Sequence, residues 1–191
     1  MAKQYGMVID TTRCMGCQTC VVSCKVSNAI PGDLYWGRVV SNDGDTVYRP
    51  TGTFPNVRLS FRPELCNHCS NPACVAACPT GAMAKDEATG VVSVDAEVCI
   101  GCGACAEACP YQMPQIDEEA GKSTKCNLCV ERLEAGLLPW CVQACPGEAR
   151  IVGDLNDPES EVSKYLAEKA AEPLFADFGT EPNVYVVGLP H

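Results

Sequence analysis

All sixteen cysteines of this 191-residue chain fall into four groups of four: Cys14, Cys17, Cys20 and Cys24; Cys66, Cys69, Cys74 and Cys78; Cys99, Cys102, Cys105 and Cys109; Cys126, Cys129, Cys141 and Cys145. Groups of four thiols suit either metal-thiolate centres or paired disulfides. Eight disulfides would leave the repeated spacing unexplained. Zinc could use every thiol, but the CxxCxxC of the first and third groups exceeds what a zinc ribbon needs, as does the proline that follows the second, third and fourth groups. A loop spaced CxxCxxC can instead wrap one cube of iron and sulfide, each thiolate meeting a different iron.

In that arrangement the fourth cysteine, with three residues between, is carried past its own cube by the start of a helix. In the bacterial ferredoxin run this cysteine ligates the neighbouring cluster, and proline follows it. Proline lacks an N-H and has a fixed φ, so it suits a first helical turn or an abrupt change of direction. Exchange of fourth cysteines requires the groups to come in pairs. The second and third are close in sequence and form the inner pair; the first and fourth form the outer one. The expected ligand sets are therefore Cys14, Cys17, Cys20 and Cys145 (cluster 1); Cys24, Cys126, Cys129 and Cys141 (cluster 2); Cys66, Cys69, Cys74 and Cys109 (cluster 3); and Cys78, Cys99, Cys102 and Cys105 (cluster 4). Four 4Fe-4S clusters are the expected cofactors, with iron the metal at all sixteen cysteines. A fully ligated cluster has no open iron for a substrate, so the expected work is electron transfer, with no residue assigned as acid, base or nucleophile.

The elements that must position these loops are short. "MVIDTTRC" and "VSVDAEVC" each read as a strand, a turn-forming Asp and then a first cysteine. Residues 82–94 and 112–125 read as hairpins that join the second motif to the third and the third to the fourth. "ARIVGD" is expected to return beside "MVID". The predicted fold class is α+β, a tandem bacterial-ferredoxin-like arrangement of two lobes with two clusters each. Its expected boundaries are an outer lobe at 1–27 plus 119–156, a hairpin insert at 28–62 with strands in "LYWGRVV" and "NVRLSF", an inner lobe at 63–118, and a helix and tail at 157–191. The helix is read from Asp157, Pro158 and the early acids that follow. The strand "NVYVV" in the tail is expected either on the chain's own body or on a larger partner, and His191 has no inferable role. Trp36 and Tyr48 read as packing residues.

Composition narrows the function classes. Hydrophobic residues make up 47% of the chain but aromatics only 6%, so metal centres replace part of an ordinary core. The net charge of -10 opposes a phosphate backbone, so no nucleic-acid partner is expected. Four oxidised clusters at about -2 each would take the formal charge to about -18, which backbone N-H groups of loops such as "CIGCGAC" can offset in part. There is no apolar run of membrane-spanning length and no signal segment, so no direct span is expected.

Motifs such as "QYGMVIDTTRCMGCQTC", "FRPELCNHC", "CIGCGACAEACPY" and "KCNLCVERLEAG", in this order, resemble the four-cluster electron-transfer subunit of the dimethyl sulfoxide reductase family of molybdoenzymes. The match is closest to its dimethyl sulfoxide and polysulfide reductase branch and covers about residues 4–155. The resemblance implies a non-catalytic subunit of an oxidoreductase complex. Its partners would be a large subunit holding molybdenum or tungsten bis-pterin and, in many relatives, a membrane anchor that exchanges electrons with quinone. It implies a place peripheral to the membrane, on the periplasmic face by co-export with the catalytic subunit or on the cytoplasmic side. Cluster 1 would lie at one end of the wire, either catalytic or membrane-facing, and cluster 4 toward the other. A similar subunit of a hydrogenase, formate dehydrogenase or dehydroxylase is the alternative, and a cluster-based redox sensor is a further one. Lys25 stands where the other motifs have proline, either as a cation beside a cluster or as an exposed helix residue. His68, inside "CNHC", is expected as a hydrogen-bond donor to sulfur rather than a ligand.

Overall fold

The computed structural model describes residues 2–41 and 44–188, so His191 and the last residues of the tail lie outside the described residues. The elements in chain order are β1 (Tyr5–Asp10), α1 (Thr19–Ser27), β2 (Gly37–Ser41), β3 (Phe61–Leu65), α2 (Ala73–Ala76), β4 (Met83–Lys85), β5 (Val92–Val94), α3 (Ala104–Ala108), β6 (Gln115–Asp117), β7 (Lys122–Thr124), α4 (Val130–Glu134), α5 (Trp140–Gln143), β8 (Arg150–Asp154), α6 (Glu161–Glu168), β9 (Ala171–Pro173) and β10 (Val184–Val187).

A four-stranded sheet in the order β8-β1-β10-β9 organises the molecule. β1 is apolar at consecutive positions rather than alternate ones because both of its faces are covered. Met7 and Ile9 join the core that holds Cys66, Cys69, Cys126, Leu128 and Val152. Val8 points the other way, into a second core with Ile151, Val162 of α6 and Val187. Each of these three β1 side chains is fully buried, worth about 1.5–3 kcal/mol apiece against exposure. β8 lies antiparallel to β1, with Val8 opposite Ile151, as the reading of "ARIVGD" expected. The tail strand takes the first of its two expected places: β10 runs parallel to β1, with Val8 opposite Tyr185, and Asn183 donates to the His68 carbonyl at 2.8 Å.

The two hairpins between the cysteine loops form where the turn residues placed them, β4 with β5 and β6 with β7. Helices pack in pairs, α1 against α5 and α2 against α3, so the first cysteine motif meets the fourth and the second meets the third. The insert differs from its expected register. β2 pairs with β3 at 61–65, which shares only Phe61 with the strand expected in "NVRLSF" and runs across the boundary drawn at 62. Residues 51–58 instead close a tight turn, in which Thr51 and Arg58 exchange backbone hydrogen bonds at 2.8 and 2.9 Å. Glu64 fixes the β2–β3 register by accepting from Arg38 at 2.8 Å and from Arg62 at 2.7 Å.

α6 starts three residues later than the Asp157–Pro158 signal suggested. Asp157 serves the preceding turn, and the Ser160 hydroxyl caps the helix by accepting from the Ser163 N-H at 3.3 Å. Trp36 and Tyr48 do pack, and both also hydrogen-bond: Trp36 donates to Thr124 Oγ1 at 2.8 Å, and the Tyr48 hydroxyl donates to the Gly16 carbonyl at 3.3 Å. No helix among the described residues is long and apolar enough to cross a membrane.

Candidate metal centres

The four CxxC loops share one backbone device. The residue before the second cysteine has positive φ in every motif: Gly16 at 71°, His68 at 43°, Gly101 at 68° and Leu128 at 56°. In two of the motifs the N-H of this left-handed residue points back at the loop's first thiol. Gly101 N-H approaches Cys99 Sγ at 3.4 Å, and Leu128 N-H approaches Cys126 Sγ at 3.3 Å. Two motifs carry a non-glycine residue there, a strain of about 1–3 kcal/mol that the surroundings must hold. His68 is held because it is wholly buried and its Nδ1 accepts the Val92 N-H at 3.1 Å. Burial, reinforced by Lys125, keeps its pKa well below the usual imidazole range. With Nδ1 accepting, the neutral ring carries its proton on Nε2, and that atom has no partner.

Further donors come from outside the loops. Cys99 Sγ also accepts from Ser123 N-H at 3.2 Å, Cys78 Sγ from Met83 N-H at 3.3 Å, and Cys145 Sγ from Ala149 N-H at 3.3 Å. The hairpins and the start of β8 therefore supply the N-H groups that an anionic sulfur needs.

Cys14, Cys17, Cys20 and Cys145 line one recess, closed by Pro146 and Arg150. Cys78, Cys99, Cys102 and Cys105 line another, closed by Pro79 and Ser123. Between these ends, Cys24 lies within electrostatic reach of Cys141 and Cys129, and Cys126 within reach of Cys141 and Cys24. Cys74 has Cys66, Cys109 and Cys69 as its thiol neighbours. The groups also meet end to end. Cys141 interacts with Cys20, Cys126 with Cys66, and Cys74 shares a small core with Cys105 and Cys78. The sixteen thiols thus form a line, and its two ends reach the surface at Cys17 and Cys102.

Burial pushes the Cys24 and Cys74 thiols up to about 12 and Cys69 to about 11, and holds Cys126 well above the usual thiol range. At the surface, the Thr19 hydroxyl lowers Cys17, and the Met83 N-H lowers Cys78. The buried thiols therefore ionise only against a strong positive partner such as iron. A single zinc ion with Zn-S bonds of about 2.3 Å would draw four sulfurs to within about 4 Å of one another. Among the described residues no three His, Cys, Asp or Glu side chains gather closely enough to hold one ion. Line, donor set and spacing fit iron-sulfide clusters, which would span wider thiol groups and supply one-electron redox chemistry.

Two buried cations lie along this line, and the sequence reading missed both. Arg150 is 5% exposed and Lys125 is 2% exposed. Lys125 Nζ donates to the Val92 and Cys126 carbonyls and opposes, without overcoming, the burial that raises the Cys74 and Cys126 thiols. A signal for Arg150 exists in the alternation of "ARIVGD", where it takes an inward strand position opposite Ile9. Lys25, by contrast, has its ammonium engaged by the insert. Its Nζ donates to the Gly32 and Leu34 carbonyls at 2.7 and 2.8 Å and lies over the Tyr35 ring, which ties α1 to the insert.

Two family profiles, both described as a 4Fe-4S dicluster domain, match residues 57–155 and 13–82 and together take in all four cysteine motifs. Among curated proteins, the chain is similar to the B subunit of tetrathionate reductase from Salmonella typhimurium, 43% identical across 97% of this chain and 73% of that one. It is also similar to an iron-sulfur B subunit assigned to dimethyl sulfoxide reductase in Halobacterium salinarum, 39% identical across 96% of this chain and 78% of the relative. The B subunit of sulfite dehydrogenase from Allochromatium vinosum is 39% identical across 94% and 80% of the two chains.

Proposed function

Because this chain belongs to the 4Fe-4S dicluster family of iron-sulfur subunits in oxidoreductase complexes, we propose that it carries electrons one at a time between a molybdenum or tungsten bis-pterin catalytic subunit and a second redox partner. Two dicluster domains account for four 4Fe-4S clusters, and the chain is the electron-transfer subunit rather than the catalytic one. The observation that carries the reading is the unbroken line of thiol groups with one end exposed at Cys17 and the other at Cys102. A reservoir for electrons needs one surface opening; a wire needs two.

The ligand sets in this proposal are Cys14, Cys17, Cys20 and Cys145; Cys24, Cys126, Cys129 and Cys141; Cys66, Cys69, Cys74 and Cys109; and Cys78, Cys99, Cys102 and Cys105. Support comes from the two recesses, each lined by three cysteines of one motif and one of its partner motif. The packing of α1 on α5 and of α2 on α3 carries each fourth cysteine toward the neighbouring motif. The lobes follow the same pairing: the first and fourth motifs form an outer body on the sheet, and the second and third an inner one on the β4–β5 hairpin. The second redox partner is a quinone-linked membrane subunit, with this chain peripheral to the membrane on whichever side the catalytic subunit occupies. Met15 and Ile100, exposed beside Cys17 and Cys102, are apolar contacts that each end offers to a neighbour.

Metal analysis of the native complex, purified without oxygen through a tag on this chain, tests the proposal. Molybdenum or tungsten is expected with a much larger subunit and with about 16 or more iron atoms per copy. Iron at that level without either metal would remove the molybdoenzyme partner and leave the wire. Zinc without iron would overturn the clusters themselves.

A further inference from the structure

Arg150 is a buried cation without an anion of the ordinary kind. Its Nη2 donates to Cys20 Sγ at 3.4 Å and its Nη1 to Met7 Sδ at 3.7 Å, while Nε has no partner at all. Among the described residues no carboxylate lies within salt-bridge distance of its guanidinium, in contrast to Arg13, Arg38, Arg49 and Arg62. A guanidinium does not deprotonate in a protein, and an uncompensated buried charge is strongly destabilising. The compensation must therefore come from what surrounds it. Arg150 lines the recess of Cys14, Cys17, Cys20 and Cys145, and its strand β8 packs on α5, which carries Cys141. Burial opposes the cation, but Cys141, Cys20 and Cys145 outweigh it and stabilise the charged form.

Those three thiols belong to two different sets. Cys20 and Cys145 are assigned to cluster 1, and Cys141 to cluster 2. Arg150 thus stands at the junction between the two outer centres, at the first position of β8 and on the same face of the sheet as Met7 and Val152. Lys125 is the nearest comparison, and it is accounted for without a cluster: two backbone carbonyls take its ammonium. Arg150 has only sulfur.

We propose that Arg150 is an electrostatic positioning residue shared by clusters 1 and 2, which raises the reduction potential of both and leaves clusters 3 and 4 unaffected. Net charge and hydrogen bonds to sulfur are among the levers that set such potentials. A one-electron reduction adds one negative charge to a centre facing the guanidinium. No bond is made or broken and no proton moves, because the arginine stays charged in both states. The reduced form gains more from the cation than the oxidised form does, so removing the cation makes both outer centres harder to reduce.

This inference rests on the four-cluster reading above. The test is an EPR-monitored redox titration of the anaerobically purified complex as wild type, Arg150→Gln and Arg150→Lys. In Arg150→Gln, two of this subunit's four couples are expected to shift downward by at least tenfold in their reduction equilibrium, about 59 mV for one electron. The other two stay in place, and Arg150→Lys restores most of the shift. The inference is overturned if no couple moves, if all four move alike, or if Lys behaves as Gln does. Should the Gln variant lose iron, the wild type itself decides: with guanidino-15N arginine, pulsed EPR is expected to detect 15N coupling to a reduced outer cluster, and its absence overturns the proposal. Iron missing from the wild type would instead count against the four-cluster reading, so the two failures are distinguishable.

Discussion

Replacing Cys126 by alanine is expected to remove about four iron atoms from the subunit and to stop electrons from passing between its two ends. Cys126 is buried in the main core beside Met7, Ile9 and Cys66, and its sulfur accepts the Leu128 N-H. Its thiol is held well above the ordinary range by burial among apolar side chains. Alanine offers no atom to the iron, and the position is interior to the line, where Cys126 meets both Cys24 of its own set and Cys66 of the next. A gap there separates the first centre from the third. The measurement pairs iron content with two assays, one from a dye that reduces the catalytic subunit directly and one from the physiological donor. Dye-driven turnover should persist while donor-driven turnover is lost. Full iron content in the variant, or undiminished donor-driven turnover, would contradict the assignment of Cys126.

The second large effect is steric. Gly101 has a φ of +68°, and a Cβ built on it would lie 2.3 Å from the Gly121 carbonyl oxygen and 2.8 Å from its carbon. Both obstacles are backbone atoms of the β6–β7 turn, which cannot rotate away. Gly101→Ala therefore adds a collision to the left-handed penalty of about 1–2 kcal/mol, and it pushes apart the loop and the hairpin that together give Cys99 its two N-H donors. Gly103 supplies the control, because its φ is +81° but a Cβ there meets open space. Gly103→Ala should cost only the left-handed penalty and keep all iron. Gly101→Ala should lower the melting temperature by several degrees more and lose the cluster held near the exposed end. Equal melting temperatures for the two variants would show that the turn yields and that the contact matters little.

What can be read in the residues, and what cannot, divides along a physical line. Iron-sulfide chemistry dictates ligand type and spacing locally, so the four cysteine motifs stand out without any knowledge of packing. The same holds for the hairpins at 82–94 and 112–125, whose turn residues act over a few positions. The alternation of "ARIVGD" can turn Arg150 inward, but what it meets there is set by packing: Met7 on β1 and Cys20 on α1 come from far along the chain, and Cys141 and Cys145 from around α5, just before it. Only the assembled sheet reveals that the inward arginine faces thiols rather than a carboxylate. The insert register departs from expectation for a related reason, since the β2–β3 pairing is set by the Arg38–Glu64–Arg62 ion network rather than by alternation in "NVRLSF". Lys25 is legible only as a cation beside a cluster or an exposed helix residue, because the carbonyls of Gly32 and Leu34 that take its ammonium are brought to it by the fold of the insert. In α6, a side chain one turn nearer the helix, Ser160, outcompetes the Asp157 signal.

The central claim is a continuous four-centre wire, and stepwise reductive titration of the purified complex with EPR detection tests it most directly. Four separate one-electron couples assigned to this subunit, integrating to about four spins per copy at full reduction, are the predicted result. Two couples, or a spectrum in which one centre carries three irons rather than four, would contradict it.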